Sequence, residues 1–573
     1  MGQGIGQILV FVAVLIAAAY PLGLYMARVF ADEDNFLKRG RLRFLGSVER
    51  GFFRAVGDRA AKEQTWKEYG GTLLVFSLIF VVVLYAIQRL QGHLFLNPEK
   101  FPGVSSYISF NTAASFLTNT NWQYYAGEST MSFLTQMAGL AVQNFVSAAV
   151  GLAVMVAVFR GFSRRSSQTL GNFWRDLYRS LVYVLLPVAI VGAVVLIAVG
   201  VPQTFHGYAQ ATTLQGAHQT IARGPVASQV AIKHLGTNGG GFYNSNSAVP
   251  FEAPGPGGFG AYFELFLEML IPFAAVFMFG RWIRGMRHAL AIFAAMFVLF
   301  VAGVGVNYVA EQHGSSVLRN SGVNITHSGS QTGGNMSDKE IRYGIAESAV
   351  FTTGTTDTST GAVNAGLDAM TPIGGAVPLT NIFLGEVIFG GVGSGMYGMI
   401  FIIVLAVFIA GLMVGRTPEY LGKKIEAREV KLAALGALFA PVLILTLTAA
   451  AMVTHAGLAS VFNPGAHGFT EALYAYTSQG GNNGSAFAGY GATPFSAYMG
   501  GIDMLFVRFV PILAALALGG SLAAKKTVPA SAGTFRSDGA TFSVLLVGLI
   551  LLTAGLMLLP ALTLGPLVEG LMH

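Results

Sequence analysis

Ten long apolar runs alternate with polar connections along the chain. They cover roughly 5–28, 71–90, 132–159, 180–201, 260–280, 287–310, 378–414, 430–454, 497–523 and 540–564. Crossing a bilayer takes about 20 apolar residues of helix. A spanning backbone must also satisfy its own hydrogen bonds, so each run is read as a transmembrane helix. The first run lacks a basic leader and a small-residue cleavage site, which makes it a retained span rather than a signal peptide.

The connections fall into two kinds. Those after odd-numbered spans carry 26 of the 34 Lys and Arg residues. Ten lie in 28–70 (Arg28, Lys38, Arg39, Arg41, Arg43, Arg50, Arg54, Arg59, Lys62 and Lys67), five in 160–179, three in 281–287, five in 416–431 and three in 525–536. Basic loops stay in the cytoplasm, so both termini are expected outside. The net charge of +7 is thereby assigned to one membrane side and not to a nucleic-acid partner.

The connections after the second, fourth, sixth and eighth spans are longer. Each holds a helix-like piece too short to span, at about 106–117, 226–236, 341–356 and 467–478. A polar stretch follows each piece: Thr118-Asn119-Thr120-Asn121, Thr237-Asn238-Gly239-Gly240, Thr358-Ser359-Thr360-Gly361 and Asn482-Asn483-Gly484. With Thr120, Gly239, Gly361 and Gly484 as marks, the spacings are 119, 122 and 123 residues. A near-constant period with similar neighbours marks an internal repeat. The expected fold is an all-α polytopic membrane protein with ten transmembrane helices. Four pseudo-repeated helix–pore-loop–helix units surround one pore, with one extra helix at each end. The corresponding divisions are 1–70, 71–160 (first repeat), 161–280 (second), 281–415 (third), 416–526 (fourth) and 527–573. The competing reading makes the short pieces amphipathic surface helices and the polar stretches ordinary turns.

The polar stretches are almost free of charge. Glycine frees backbone carbonyls to point where a β-carbon would forbid, and Thr, Ser and Asn add neutral oxygens. Four such loops around one axis can replace the water shell of a monovalent cation. Small hard divalent ions call for more carboxylate. Composition agrees with the span count: 53% of residues are hydrophobic and 11% charged, with a mean hydropathy of +0.60, against roughly 25% charged in soluble chains. The 73 Gly and 20 Pro fit close helix packing and broken helices. Without cysteine, disulfides and thiol chemistry are excluded.

The seventh span contains Gly385 to Gly398, with Gly390, Gly391, Gly393 and Gly395 in its middle. So many glycines weaken a helix. They serve either close helix packing or an unwound segment that obstructs the pore. Gly393, Gly395 and Gly398 match GxGxxG, but no strand precedes them and dinucleotide binding is rejected. Glu386 and Arg508 lie deep in spans, where an unpaired charge is costly. Glu386 could hold a cation and Arg508 could repel one, or either could belong to a structural ion pair. Glu264 and Glu268, one turn apart in the fifth span, are read as structural. The segment 311–340 is read as a surface loop; its Asn324-Ile325-Thr326 and Asn335-Met336-Ser337 match the glycosylation pattern only weakly. The sequence has no aspartyl-phosphate motif, no phosphate-binding GxxxxGK[ST], and no HExxH or clustered His to suggest a metal enzyme. An intramembrane enzyme would need a catalytic cluster, and only isolated charges are found. Uphill transport would therefore draw on another chain or a gradient.

Several stretches resemble the potassium-binding, channel-like A subunit of the bacterial Kdp potassium-importing P-type ATPase. They are Thr118 to Gln123, Gly224 to Gln229, Leu235 to Phe242, Gly385 to Gly398, Gly415-Arg416-Thr417-Pro418-Glu419-Tyr420-Leu421-Gly422-Lys423-Lys424, and Asn482 to Phe487. The resemblance implies a multi-pass subunit of the bacterial inner membrane, with no catalysis and no organic cofactor of its own. Its four-loop filter binds K+ from outside. The partners implied are a P-type ATPase subunit that uses the ATP, a single-span accessory subunit and a small lipid-like subunit, all among membrane lipids. Gly239, Gly361 and Gly484 would sit at the filter with Asn119, Thr120 and Asn121, and Gln123 just beyond. Glu386 would lie near a tunnel to the partner and Arg508 beneath the filter. The third loop departs from the pattern. It offers two registers, on Gly354 or Gly361, of which Gly361 gives the more even spacing, and Asp357 stands where a small neutral residue is expected. A self-sufficient potassium channel or transporter is the main rival.

Overall fold

Among the described residues of the computed structural model, ten helices are long and apolar enough to cross a membrane. Those residues are 2–31, 33, 44–57, 62–244, 251–328, 331–413, 415, 418–529 and 535–572. Lys38, Arg39, Arg41, Arg43 and Arg59 of the first basic connection, Gly329 and Ser330, and Arg416 and Thr417 lie outside them.

The spans are Gly2–Phe30, Trp66–His93, Thr135–Ser163, Phe173–Ala198, Pro256–Trp282, Met286–Asn320, Ser394–Met413, Ala427–Val453, Pro494–Ala524 and Ala540–Leu564. Most run a few residues beyond the bounds expected from hydropathy. The seventh departs furthest, because 378–414 is not one helix. Pro372–Phe383 and Ser394–Met413 are separate pieces joined by irregular backbone at the glycine-rich stretch.

Burial sorts the spans. The most apolar stretches of the third and fifth are 89% buried and those of the seventh and ninth 61%, against 22–44% for the other six. The inner four are the spans that follow the polar stretches. Small residues let them approach closely: a β-carbon on Gly161 of the third span would lie 2.8 Å from the Cα of Gly519 of the ninth.

Four short helices precede the polar stretches: Ser106–Leu117, Val226–Leu235, Gly344–Asp357 and Gly465–Gly480. Among the described residues, strands are confined to two small hairpins, Ala209–Thr212 with His218–Ile221 and Glu419–Tyr420 with Lys423–Lys424. The second hairpin ties three connections together. Lys423 Nζ donates to the carbonyls of Arg164 at 2.5 Å and Lys525 at 2.8 Å. Lys525 Nζ in turn reaches Glu429 at 2.6 Å. Nearby, the Arg160 guanidinium grips Asp176 with two bonds of 2.5 and 2.7 Å.

Candidate functional site

The four polar stretches leave their short helices by the same backbone bonds. The amides of Thr118, Gly236, Thr358 and Gly481 each donate to the carbonyl four residues back, at 2.7–3.1 Å. The amides of Thr120, Asn238, Thr360 and Asn483 each donate five residues back, at 2.9–3.0 Å. Positive φ recurs at matching positions. Asn119, Thr237, Ser359 and Asn482 lie between 48° and 75°, and Asn121, Gly239, Gly361 and Gly484 between 58° and 95°. Such alternation turns the loop sharply and needs glycine or asparagine at its tightest point.

The structural counterpart of Gly239, Gly361 and Gly484 is therefore Asn121, one residue beyond the Thr120 mark expected from spacing. Asparagine tolerates this backbone, so the sequence hid the register. Thr120 instead matches Thr360. Its hydroxyl pairs with that of Thr118 at 3.0 Å, as Thr360 pairs with Thr358 at 2.8 Å. Gly354 lies inside the third short helix, and Gly361 occupies the loop.

The loops close into a ring. The Cα of Gly239 sits against the Thr360 carbonyl, that of Gly361 against the Asn483 carbonyl and that of Gly484 against the Thr120 carbonyl, each without room for a β-carbon. Between the first and second loops, Asn119 Nδ2 donates to the Thr237 carbonyl at 2.6 Å and Asn121 Nδ2 to that of Gly239 at 3.3 Å. Asn482 Nδ2 donates to Thr120 Oγ1 at 3.1 Å, and Ser359 Oγ to the Gly481 carbonyl at 3.3 Å. Gly240 packs against the Asn121 side chain. Gln123, just beyond, makes a reciprocal pair with Gly241 at 2.8 and 3.1 Å.

Hydropathy gave no sign of the supports behind this ring. Asn144 Oδ1 accepts from Asn121 at 2.6 Å, and Ser147 Oγ donates to Asn119 Oδ1 at 2.8 Å. Asn238 Nδ2 bonds both Asn119 Oδ1 and Ser147 Oγ. The available signal was a pair of polar residues, Asn144 and Ser147, three apart on an apolar span. Lys233 is buried behind the second loop, where it pairs with Glu252 and holds the Gly240 carbonyl at 2.6 Å.

The irregular part of the seventh span lies against the second and third loops. The Val392 amide donates to Thr237 Oγ1 at 2.9 Å, and the Gly390 amide to the Asp357 carbonyl at 3.1 Å. A β-carbon on Gly391 would lie 3.2 Å from Ser359 Cβ. Gly390, Gly393 and Gly395 each meet backbone where a β-carbon would stand. Phe389 is locked by stacking on Phe273, with ring centroids 3.6 Å apart. Beside the break, a cavity of about 90 Å³ is lined by Glu386, Arg508, Tyr397, Gly480, Gly481 and Asn482, among others. Glu386 and Arg508, 122 residues apart in sequence, thus line one cavity, together with the start of the fourth loop. Asp357 and Asp503 are fully buried carboxylates near the inner ends of the third and fourth short helices.

The family model for the potassium-transporting ATPase A subunit matches residues 9–571. A protein of Methylobacterium nodulans is 54% identical over 99% of this chain and 97% of its own length. One of Brucella anthropi is 53% identical with the same coverage. Both are named potassium-transporting ATPase potassium-binding subunit. A solved structure of the potassium transporter TrkH from Vibrio parahaemolyticus aligns with a TM-score of 0.48 and 14% identity, over 76% of this chain and 83% of that one.

Proposed function

Because the chain belongs to the potassium-transporting ATPase A subunit family, we propose that it is the potassium-binding and selectivity subunit of an ATP-driven importer. Potassium is the substrate. It enters from the extracytoplasmic side and loses its water shell to Thr118 to Asn121, Thr237 to Gly240, Ser359 to Gly361 and Asn482 to Gly484. The observation that carries this reading is the closed ring, in which each loop touches the next and supplies neutral oxygens. Neutral oxygens suit a weakly hydrated monovalent ion, whereas a small divalent ion would demand carboxylates. Because the loops differ in sequence, dehydration proceeds without exact fourfold symmetry.

Below the ring, the broken seventh span and the Arg508 charge oppose straight passage. Glu386 supplies a carboxylate at the side cavity, which suits lateral hand-over to a neighbouring membrane subunit. The chain itself does no chemistry. A partner P-type ATPase subunit hydrolyses ATP, and a single-span subunit and a small lipid-like subunit complete the inner-membrane complex. The units 71–160, 161–280, 281–415 and 416–526 act as the four pore repeats. Basic connections then face the cytoplasm, and both termini lie outside.

Rubidium uptake in cells lacking other potassium importers tests the reading. The complete operon, this chain alone, and the operon carrying Gly239→Asp are compared. Uptake is expected only with the partners, and Gly239→Asp should weaken apparent affinity. Uptake by the chain alone would replace the proposal with a channel or gradient-driven transporter.

A further inference from the structure

The residue six before each loop's tight position ties that loop to its short helix. Ser115 Oγ donates to the Trp122 carbonyl at 3.1 Å, and Lys233 Nζ to the Gly240 carbonyl at 2.6 Å. In the other two loops a hydroxyl accepts from the glycine itself: Gly361 N to Thr355 Oγ1 and Gly484 N to Ser478 Oγ, both at 2.9 Å. Three of these ties are made by a neutral hydroxyl and one by an ammonium group. The exception falls on the loop with the fewest side chains. Past the tight position the first loop has Trp122 and Gln123, the third Ala362 and Val363, and the fourth Ser485 and Ala486, whereas the second has Gly240 and Gly241.

A peptide unit between two glycines turns over easily, because no β-carbon on either side resists the change in ψ and φ. A side chain at residue 240 cannot supply the restraint: φ there is +72°, and a β-carbon would stand 3.1 Å from Asn121 Nδ2. The Gly240–Gly241 peptide is instead held at both edges. Carbonyl and N–H point in opposite directions from a trans peptide. Lys233 Nζ takes the carbonyl, and Gln123 Oε1 of the first loop accepts from the Gly241 amide at 2.8 Å. Turning the unit over would break both bonds and present an N–H to the ammonium. Behind the lysine, Glu252 contacts Nζ through Oε2 and accepts from the Tyr243 amide through Oε1 at 2.9 Å. Both side chains of this ion pair are buried, Lys233 with 1% of its side chain exposed. A buried ion pair is a poor source of stability compared with apolar packing, whereas a hydrogen bond from a charged donor is about twice as strong as a neutral one. The lysine thus adds most to the restraint of the glycine run.

We propose that Lys233 is a positioning residue of the potassium filter: with Gln123 it clamps the Gly240–Gly241 peptide from opposite edges and so fixes the glycine run of the second loop. The inference rests on the four-loop filter reading. It gives a buried lysine a part in potassium affinity without contact with the ion. It also makes the first and second loops share one restraint, since Gln123 follows one and Lys233 belongs to the short helix of the other. A cationic donor is required at residue 233. Loss of either bond frees the peptide, so removing the second adds little.

The test uses the complete complex and reads potassium-stimulated ATP hydrolysis as a function of potassium concentration. Lys233→Met is expected to raise the half-maximal potassium concentration about tenfold while leaving maximal turnover within about twofold. Lys233→Arg keeps a cationic donor and should stay within about threefold of the parent. Gln123→Leu alone should also cost about tenfold. The double variant Lys233→Met/Gln123→Leu should cost about the same as either single change, against about a hundredfold for two independent contacts. A loss of about a hundredfold in the double variant, or equal losses in Lys233→Met and Lys233→Arg, would overturn the clamp. Gly239→Asp is measured alongside. If Gly239→Asp weakens potassium dependence while Lys233→Met does not, the positioning role is wrong and the filter stands. If Gly239→Asp has no effect, the filter reading falls and takes this inference with it. Should Lys233→Met fail to assemble, Lys233→Met/Glu252→Gln, which strands no buried charge, replaces it in every comparison.

Discussion

The Cα of Gly239 rests directly on the carbonyl oxygen of Thr360, two loops of the ring meeting with no side chain between them. Gly239 also has φ +65°, a conformation that costs other residues about 1–2 kcal/mol. A β-carbon would add a clash with Thr360 and approach the Ala362 amide nitrogen at 2.9 Å. Gly239→Ala is therefore expected to displace the second loop from the third and raise the half-maximal potassium concentration at least tenfold. Asn121→Gly, at the equivalent backbone position, removes no allowed conformation but deletes the 2.6 Å bond to Asn144 and the 3.3 Å bond to the Gly239 carbonyl. Its effect should be smaller, about threefold. Potassium-dependent ATP hydrolysis by the assembled complex measures both. Equal effects would show that the backbone constraint is not what matters.

Arg508 lines the cavity that Gly480, Gly481 and Asn482 also line, and under the proposed filter reading a positive charge there would oppose passage of a cation through a low-dielectric space. Arg508→Gln keeps hydrogen-bonding capacity and removes the charge. Proteoliposomes holding the variant complex should leak rubidium without ATP several-fold faster than the parent. An unchanged passive flux would mean that the broken seventh span alone closes the path.

The membrane architecture was legible because apolar runs of bilayer length have few alternatives in sequence. The four loops were legible because glycine and asparagine recur at a fixed period. What escaped were features whose partners lie far apart in the chain. Ser147 and Asn238 are 91 residues apart, and nothing in the third span marks Ser147 as a support for the second loop. The first loop was misaligned by one residue because Asn121 does the backbone work of a glycine. Asp357 had attracted notice as a foreign charge in the third loop. It is the last residue of the short helix, one position before the repeated backbone pattern of Thr358 to Gly361.

The Arg160–Asp176 pair predicts a stability effect separate from ion binding. Asp176 is fully buried and also accepts from the Tyr69 hydroxyl at 3.0 Å. Asp176→Ala removes the carboxylate from a largely buried guanidinium and leaves it its bond to the Leu170 carbonyl at 3.0 Å, a loss of about 3 kcal/mol. The variant complex should unfold at a clearly lower temperature in detergent. Its potassium dependence should be unchanged in whatever fraction assembles. A melting temperature equal to the parent's would show that solvent reaches Arg160 after all.

His467 offers a prediction in pH. It opens the fourth short helix, and both ring nitrogens face carboxylates from other segments: Nε2 lies 2.9 Å from Asp368 Oδ1 and Nδ1 2.9 Å from Glu569 Oε1. The hydrogen bonds to Asp368 and Glu569 push its pKa up to about 10 against the resistance of partial burial. A folded-state value above the unfolded one means that the charged ring stabilises the fold. That contribution is fully present below the unfolded value of about 6.5 and is lost as pH rises through about 10. The groups are partly exposed, so screening reduces the effect to about 1 kcal/mol. The clamp joins the C-terminal helix Pro566–Met572 and the connection after the third loop to the fourth short helix. Thermal unfolding of the complex from pH 6 to pH 10.5 should therefore show His467→Gln below the parent at low pH, with the two curves converging at high pH. Parallel curves across the whole range would mean that His467 contributes by packing alone, as its ring contact with Phe487 at 6.3 Å would allow.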